Sequence, residues 1–317
     1  MHYCQSMLSA SIRRLLAEVT PPLLVKALRR AHSVPAIDGV PAKESVEISV
    51  NVHGAALILP RSHSLPHFVA RYPFYDSALP ALASFLRRHK TSRLNVVDVG
   101  ANFGDTAAII AASIGRDGAQ FVCVEADAQY IPWLRRNTEG MKVDIVHAIA
   151  GPVSGVTQAT MLPSGAGTSA IVSDDGSTAR MIAVDDLSDE PIDLLKIDTD
   201  GFELEVLRGA TRVLSRDDIA VFLEYSPPHI RRFGGAEPTE VLATLGAAGF
   251  EEAMAYDNIG IPIGIFPCNG DVIAALSSYA ERRADFYLDL LLARDRQRLR
   301  QFFALEVERT RDSAVRL

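Results

Sequence analysis

From Leu94 to Leu223, short apolar runs alternate with stretches of helical periodicity, and this alternation constrains the fold more than any other feature of the chain. The apolar runs fall at 94–99, 121–124, 143–148, 192–197 and 220–223, and the helical patterns at 106–114, 128–137 and 204–214. Strands that alternate with helices call for a mostly parallel sheet covered on both faces. The expected fold is therefore α/β, Rossmann-like and doubly wound. Two later runs, 252–256 and 271–276, extend the sheet, with 258–270 as a Gly/Pro-rich connection and an antiparallel final strand.

The flanks read differently. Residues 46–59 alternate loosely as a hairpin, a helix follows over 76–89, and 32–43 is a Pro/Gly linker. Leu8, Ile12, Leu15 and Leu16 recur at helical spacing beside Arg13 and Arg14. Such a helix packs on protein or lies on a membrane surface, so peripheral membrane contact through it is an open expectation. Beyond Ser277, the spacing of Ala284, Leu288, Leu291, Leu292, Leu299, Phe302 and Phe303 suggests one amphipathic helix, buried against the domain or in a homo-oligomer contact. The organisation expected is a helical and hairpin extension over 1–90, the main domain over 91–276, and a C-terminal helix over 277–317. Residues 151–186, rich in Gly, Ser and Thr, read as an irregular or hairpin-bearing insertion that could serve as a lid.

The net charge of −7 argues against a long phosphate backbone as partner, so no nucleic acid is expected. No apolar run reaches the roughly 20 residues that span a bilayer, and the N-terminus lacks the pattern of a secretory signal. The three cysteines have no metal-ligand spacing. A reducing cytoplasm is the expected location.

The run Asn95-Val96-Val97-Asp98-Val99-Gly100-Ala101-Asn102-Phe103-Gly104 is a buried strand entering a small-residue turn before a helix. Ligands bind open parallel sheets at this carboxyl end, and Gly100 and Gly104 permit close backbone approach. Asp98, on an otherwise apolar strand, needs a cationic or polar partner. The amino group of S-adenosylmethionine is one; a turn-stabilising role is the alternative. Glu125 ends the next strand about 20 residues after the turn, where a carboxylate accepts ribose hydroxyls. A dinucleotide would suit that spacing too, but the G-x-G-x-x-G fingerprint is missing.

The second signal is Asp193-Leu194-Leu195-Lys196-Ile197-Asp198-Thr199-Asp200-Gly201-Phe202-Glu203. Lys196 needs an anionic partner, and Asp98 and Glu224 are the candidates. Asp198, Asp200 and Glu224 converge on one edge of the sheet. Such a group can supply a general base or hold a divalent cation, and His229, just beyond the last strand, could take the acceptor's proton. An ion-pair network with Lys196 and Arg208 is the structural alternative, with Asp200 and Glu203 favouring a helix N-terminus.

The two motifs together, with Leu207-Arg208-Gly209-Ala210 and Val184-Asp185-Asp186-Leu187, resemble the FkbM-type methyltransferase family over roughly 95–226. The resemblance implies a class I fold with a seven-stranded sheet, dependence on S-adenosylmethionine, and O-methylation of a sugar, glycan or secondary metabolite. By position, Asp98, Gly100, Asn102 and Glu125 would bind the cofactor and Asp198 would face the reaction centre; the residues themselves add Ala101 and Gly104 of the same turn to the cofactor set, and Glu224 and His229 to the catalytic candidates. Asp200 stands where the family often has Glu. A nicotinamide-dependent oxidoreductase and a non-catalytic cofactor-binding scaffold are the rival readings.

Overall fold

The computed structural model describes residues 46–164, 167–268, 270–283 and 286–314. The basic helix and linker expected before residue 46 lie outside them. Strands β1 (Glu47–Val52) and β2 (Ala55–Pro60) form the expected hairpin, followed by helices α1 (Leu65–Arg71) and α2 (Ala78–Arg88). The main alternation is β3 (Leu94–Val99), α3 (Asp105–Ile114), β4 (Ala119–Glu125), α4 (Ile131–Asn137) and β5 (Val143–His147). After an insertion it resumes with β10 (Leu194–Ile197), α5 (Glu203–Arg208), α6 (Thr211–Leu214) and β11 (Ala220–Tyr225).

The insertion contains β6 (Ile149–Ala150), β7 (Gly155–Ser164), β8 (Gly167–Val172) and β9 (Ser177–Ile182). These strands make a separate four-stranded sheet in the order β6-β9-β7-β8. Beyond β11 come a short helix α7 (Pro227–His229), a π turn over Ile230–Gly234, α8 (Pro238–Ala247), β12 (Glu252–Asp257), β13 (Pro262–Pro267), α9 (Gly270–Glu281), β14 (Leu288–Ala293) and α10 (Arg296–Ala314).

The central sheet has eight strands in the order β13-β12-β14-β11-β10-β3-β4-β5, one more than the seven expected. Strands β5, β4, β3, β10 and β11 run parallel. Antiparallel β14 lies between β11 and β12. The additional strand is β13, which pairs with β12 across the segment expected to be only a connection.

Two other segments exchange their expected roles. Residues 271–276 belong to α9 rather than a strand; Ser277 and Ala280, three apart, share its buried face, and Ser277 Oγ lies 2.5 Å from Tyr225 Oη. Conversely, Leu288, Leu291 and Leu292 sit in β14, and the helix expected from residue 277 begins at Arg296. A strand buried on both faces reads as a continuous apolar run, and such a run carries no period to separate it from a helix. The sheet therefore continues to Ala293, past the expected domain limit at 276. Leu299 and Phe302 of α10 are buried, with Phe302 5.3 Å from the Phe85 ring of α2, so this part of the stripe is covered by the chain's own body.

Strand alternation fixes the position of the polar groups. Val97, Val99, Leu195, Ile197, Val221 and Leu223 face one core, while Val96, Leu194, Phe222 and Leu291 face the other. By period 2, Asp98, Lys196, Asp198, Glu224 and Asp289 stand on the second side, at the end where the parallel strands finish. Register places Lys196 beside Asp98, and Asp289 beside Glu224.

Candidate active site

Gly100 takes φ +79°, and a Cβ there would lie 1.7 Å from the Asp198 carbonyl oxygen. Only glycine allows the turn after β3 to press on the end of β10 in this way. Gly104, at φ +79°, is likewise set by protein, since its Cβ would come 2.6 Å from Leu134 Cδ1. These close approaches are therefore internal packing, where ligand approach was one of the expectations. Gly100 N and Ala101 N both donate to the Val124 carbonyl, at 2.9 and 3.0 Å. Asn102 follows with φ +45°, its amide donating to Glu125 Oε2 at 2.7 Å. The other Glu125 oxygen accepts from Asp127 N at 2.7 Å, so this carboxylate ties the β3 and β4 turns together. Burial outweighs those two amides and pushes Glu125 up to about 7.

Asp98 is fully buried, and neither oxygen has a hydrogen-bond partner among the described residues. Lys196 Nζ lies 3.4 Å from Asp98 Oδ1, 3.1 Å from Asp198 Oδ2 and 3.3 Å from the Gly100 carbonyl. The expected partner Asp98 is thus found. The other is Asp198, not Glu224, because Asp198 follows Lys196 by two on the same strand face. Burial disfavours the ammonium, yet Asp198, Asp98 and Asp105 around it hold Lys196 above its usual range. Burial raises Asp98 to about 6, with Lys196 opposing.

The Asp198 side chain retains 36% exposure beside the 9% of Lys196, so it is the open end of this buried chain of charges. Asp200, at φ +53°, sits in the turn after β10. Glu203 is buried and accepts from Thr199 N, Thr199 Oγ1 and Gly201 N at 2.9 to 3.1 Å, which makes it the staple of that turn. Gly201, at φ +119°, has room for no side chain, since its Cβ would lie 2.5 Å from the His229 carbonyl oxygen. That approach brings His229 Nδ1 to 3.2 Å from Asp200 Oδ1, and the bond to Asp200 raises His229 above its ordinary value.

Asp200, Glu224 and His229 each offer a donor atom within 4.8 Å of the others. The sequence suggested a convergence of Asp198, Asp200 and Glu224; the structure gathers Asp200 and Glu224 with His229 and pairs Asp198 with Lys196. Glu224 is pushed well up by burial and by Asp198, Asp200 and Asp289. Arg208 stands apart, paired with Glu205 and Glu240. His147 is exposed and contacts only the Ala126 carbonyl among the hydrogen bonds of the described residues.

Sequence reasoning missed four residues of this crevice. Asp76 precedes α2 at φ +56°, and burial, then Asp105 and Asp289, raise it well above the carboxylate range. Asp289, on β14, is raised to about 8, first by burial and then by Asp198. Tyr75 and Tyr287 lie with them, each phenol raised by its acidic neighbours and burial. The insertion closes the other side, where Ser169 Oγ donates to the Asp200 carbonyl at 2.8 Å. A Cβ on Gly167 would lie 3.1 Å from Asp200 Oδ2 and 3.2 Å from Asn102 Nδ2.

Residues 98–252 match the methyltransferase FkbM domain. No curated protein matches the chain. Among solved structures, methyltransferase FkbM from Methylobacillus flagellatus is 21% identical over 49% of this chain, with a TM-score of 0.34. The match spans 36% of that protein's length. A precorrin-6y C5,15-methyltransferase from Geobacter metallireducens is 12% identical over 67% of this chain and 86% of its own, TM-score 0.37. An O-methyltransferase from Bacillus cereus in complex with SAH is 13% identical over 89% and 97%, TM-score 0.38.

Proposed function

We propose, from the premise that residues 98–252 form an S-adenosylmethionine-dependent methyltransferase domain of the FkbM type, that the acceptor atom is a hydroxyl oxygen of a sugar, glycan or secondary metabolite. The observation that carries the reading is Asp198, a carboxylate open to the crevice at the end of β10 and held from behind by Lys196.

The residues around β3 fit the cofactor. Asp98 Oδ2 and Asn102 Oδ1 are buried without a partner, while Asp98 Oδ1 has Lys196 Nζ at 3.4 Å, and a second ammonium group satisfies the open acceptors. Each Glu125 oxygen has one amide donor and keeps capacity for a ribose hydroxyl. When bound, the cofactor supplies a methyl group on sulfonium sulfur for in-line transfer to the acceptor oxygen.

Asp198 Oδ2 is engaged by Lys196, which leaves Oδ1 to accept the hydrogen bond of the acceptor hydroxyl and then its proton. Lys196 holds the carboxylate in place for this step. Asp76, Tyr75, Tyr287 and Asp289 line the acceptor side. A screen of labelled methyl transfer from S-adenosylmethionine into cell extracts tests the reading. The expected product is a methyl ether; label found only on nitrogen or carbon overturns the choice of oxygen.

A further inference from the structure

An alcohol holds its proton tightly, and a divalent cation beside Asp198 would acidify the hydroxyl before Asp198 takes the proton. Asp200, Glu224 and His229 are adjacent to it and of the right chemistry. We propose that these three side chains bind a divalent cation, and that the cation holds the acceptor hydroxyl and lowers its pKa. The proposal rests on the hydroxyl-methylation reading and adds the site's inorganic partner.

Two carboxylates and one imidazole form a donor set suited to magnesium or manganese, and three protein ligands leave positions open for the acceptor's oxygens. The donors already lie within 4.8 Å of one another, with His229 Nδ1 and Asp200 Oδ1 at 3.2 Å. Ligands sharing one ion sit about 3 to 4.5 Å apart given metal–oxygen bonds of about 2.1 to 2.5 Å.

The backbone fixes two of the donors independently of any ion. Asp200 is held in its left-handed turn by the Glu203 staple and by Ser169, and Gly201 packs directly on the His229 carbonyl. Glu224 has no hydrogen-bond donor or cation within the described residues, although Asp289 stands beside it in the strand register. Three carboxylates, Asp198, Asp200 and Asp289, therefore bear on Glu224, and Lys196 is already committed to Asp198 and Asp98.

Ser164 gives a separate indication. It is 5% exposed, its hydroxyl lacks a partner that meets hydrogen-bond geometry, and it faces Asp200. Glu203, 1% exposed, also has an unpartnered Oε2 and bears on both Glu224 and His229. Buried polar groups are almost always satisfied by protein, water or an ion. Two such groups beside an imidazole and two carboxylates mark a polar occupant, and the surplus negative charge gives it a positive sign.

The test is manganese binding to the full chain saturated with S-adenosylhomocysteine, read by the paramagnetic resonance of free ion. The expected result is one site per chain, weakened about tenfold or more in His229→Gln and in Glu224→Gln, with melting temperatures confirming that both variants fold. Glu190→Gln, an exposed carboxylate that bonds Gln120 and lies outside the donor set, leaves the affinity unchanged. Absence of binding up to millimolar manganese overturns the proposal. So does binding that survives both Gln substitutions. Methyl transfer that continues undiminished in excess chelator removes the cation while leaving the hydroxyl reading intact; failure to bind S-adenosylhomocysteine removes the latter, with manganese binding still read on its own.

Discussion

The two sides of the crevice hold their carboxylates by different means. On the β3–β4 side, Glu125 is fixed by two backbone amides, from Asn102 and Asp127. On the β11–β14 side, Glu224 and Asp289, with Asp76 before α2, make no side-chain hydrogen bond or salt bridge among the described residues, and Asp76 and Asp289 feel Lys196 from farther off. The consequence appears in their protonation: Glu125 rises to about 7 against the pull of its amides, whereas burial and like charge drive Asp289 to about 8 and Glu224 well above its ordinary value. The first side is built by the backbone before any ligand arrives. The second is left electrostatically incomplete, which is how a site favours ligands that bring positive charge or hydroxyl donors.

If the two sides are separable, substitutions divide cleanly between them. The largest effect is expected for Asp198→Asn, which keeps shape and removes the charge: turnover falls about 100-fold or more while cofactor affinity stays within roughly threefold. A parallel loss of affinity would show that Asp198 belongs to the cofactor side. Next is Glu125→Ala, which should weaken cofactor binding by about 1 to 3 kcal/mol in calorimetry, with the acceptor KM unmoved. Asp289→Asn should act in the opposite sense, raising the acceptor KM by roughly 3- to 10-fold and leaving S-adenosylhomocysteine affinity alone.

The smallest expected effect is on stability against pH. Asp98 and Glu125 have folded-state pKa values of about 6 and about 7, above the ordinary carboxylate values of an unfolded chain. Between pH 5 and 7.5 the folded state then binds more protons than the unfolded one, so stability falls as pH rises through that window. The ligand-free melting temperature should be lower at pH 7.5 than at pH 5.5 by roughly 4 °C or more. Saturating S-adenosylmethionine should flatten the difference, because its ammonium favours the ionised Asp98. A ligand-free protein that gains stability across this window would show that the buried carboxylates are compensated by groups other than those described.

The same contrast explains what the sequence makes legible. The proposed cofactor side is local: Asp98, Gly100, Asn102 and Glu125 lie within one strand-turn-helix-strand unit, where each residue type answers a constraint visible in its neighbours. The partner of Lys196 is half legible, since period 2 puts Asp198 on its face, but choosing it over Glu224 requires the register between strands. The proposed acceptor side comes from residues 75 to 289, joined only by tertiary structure. Asp289 does leave a trace as the lone charge in Leu288-Asp289-Leu290-Leu291-Leu292. That trace is lost once the segment is read as one face of an amphipathic helix. Tyr75 and Tyr287 leave none, because a tyrosine near a turn has many ordinary uses.

The central claim is that this crevice holds S-adenosylmethionine with Asp98 and Glu125 at its two polar ends. Calorimetric titration of S-adenosylmethionine into the purified chain tests it most directly, with the Glu125→Ala variant titrated alongside. The account gives a single site per chain in the wild type and a clear loss of affinity in the variant. A wild-type chain that shows neither heat of binding nor thermal stabilisation by the cofactor or its demethylated product would contradict it.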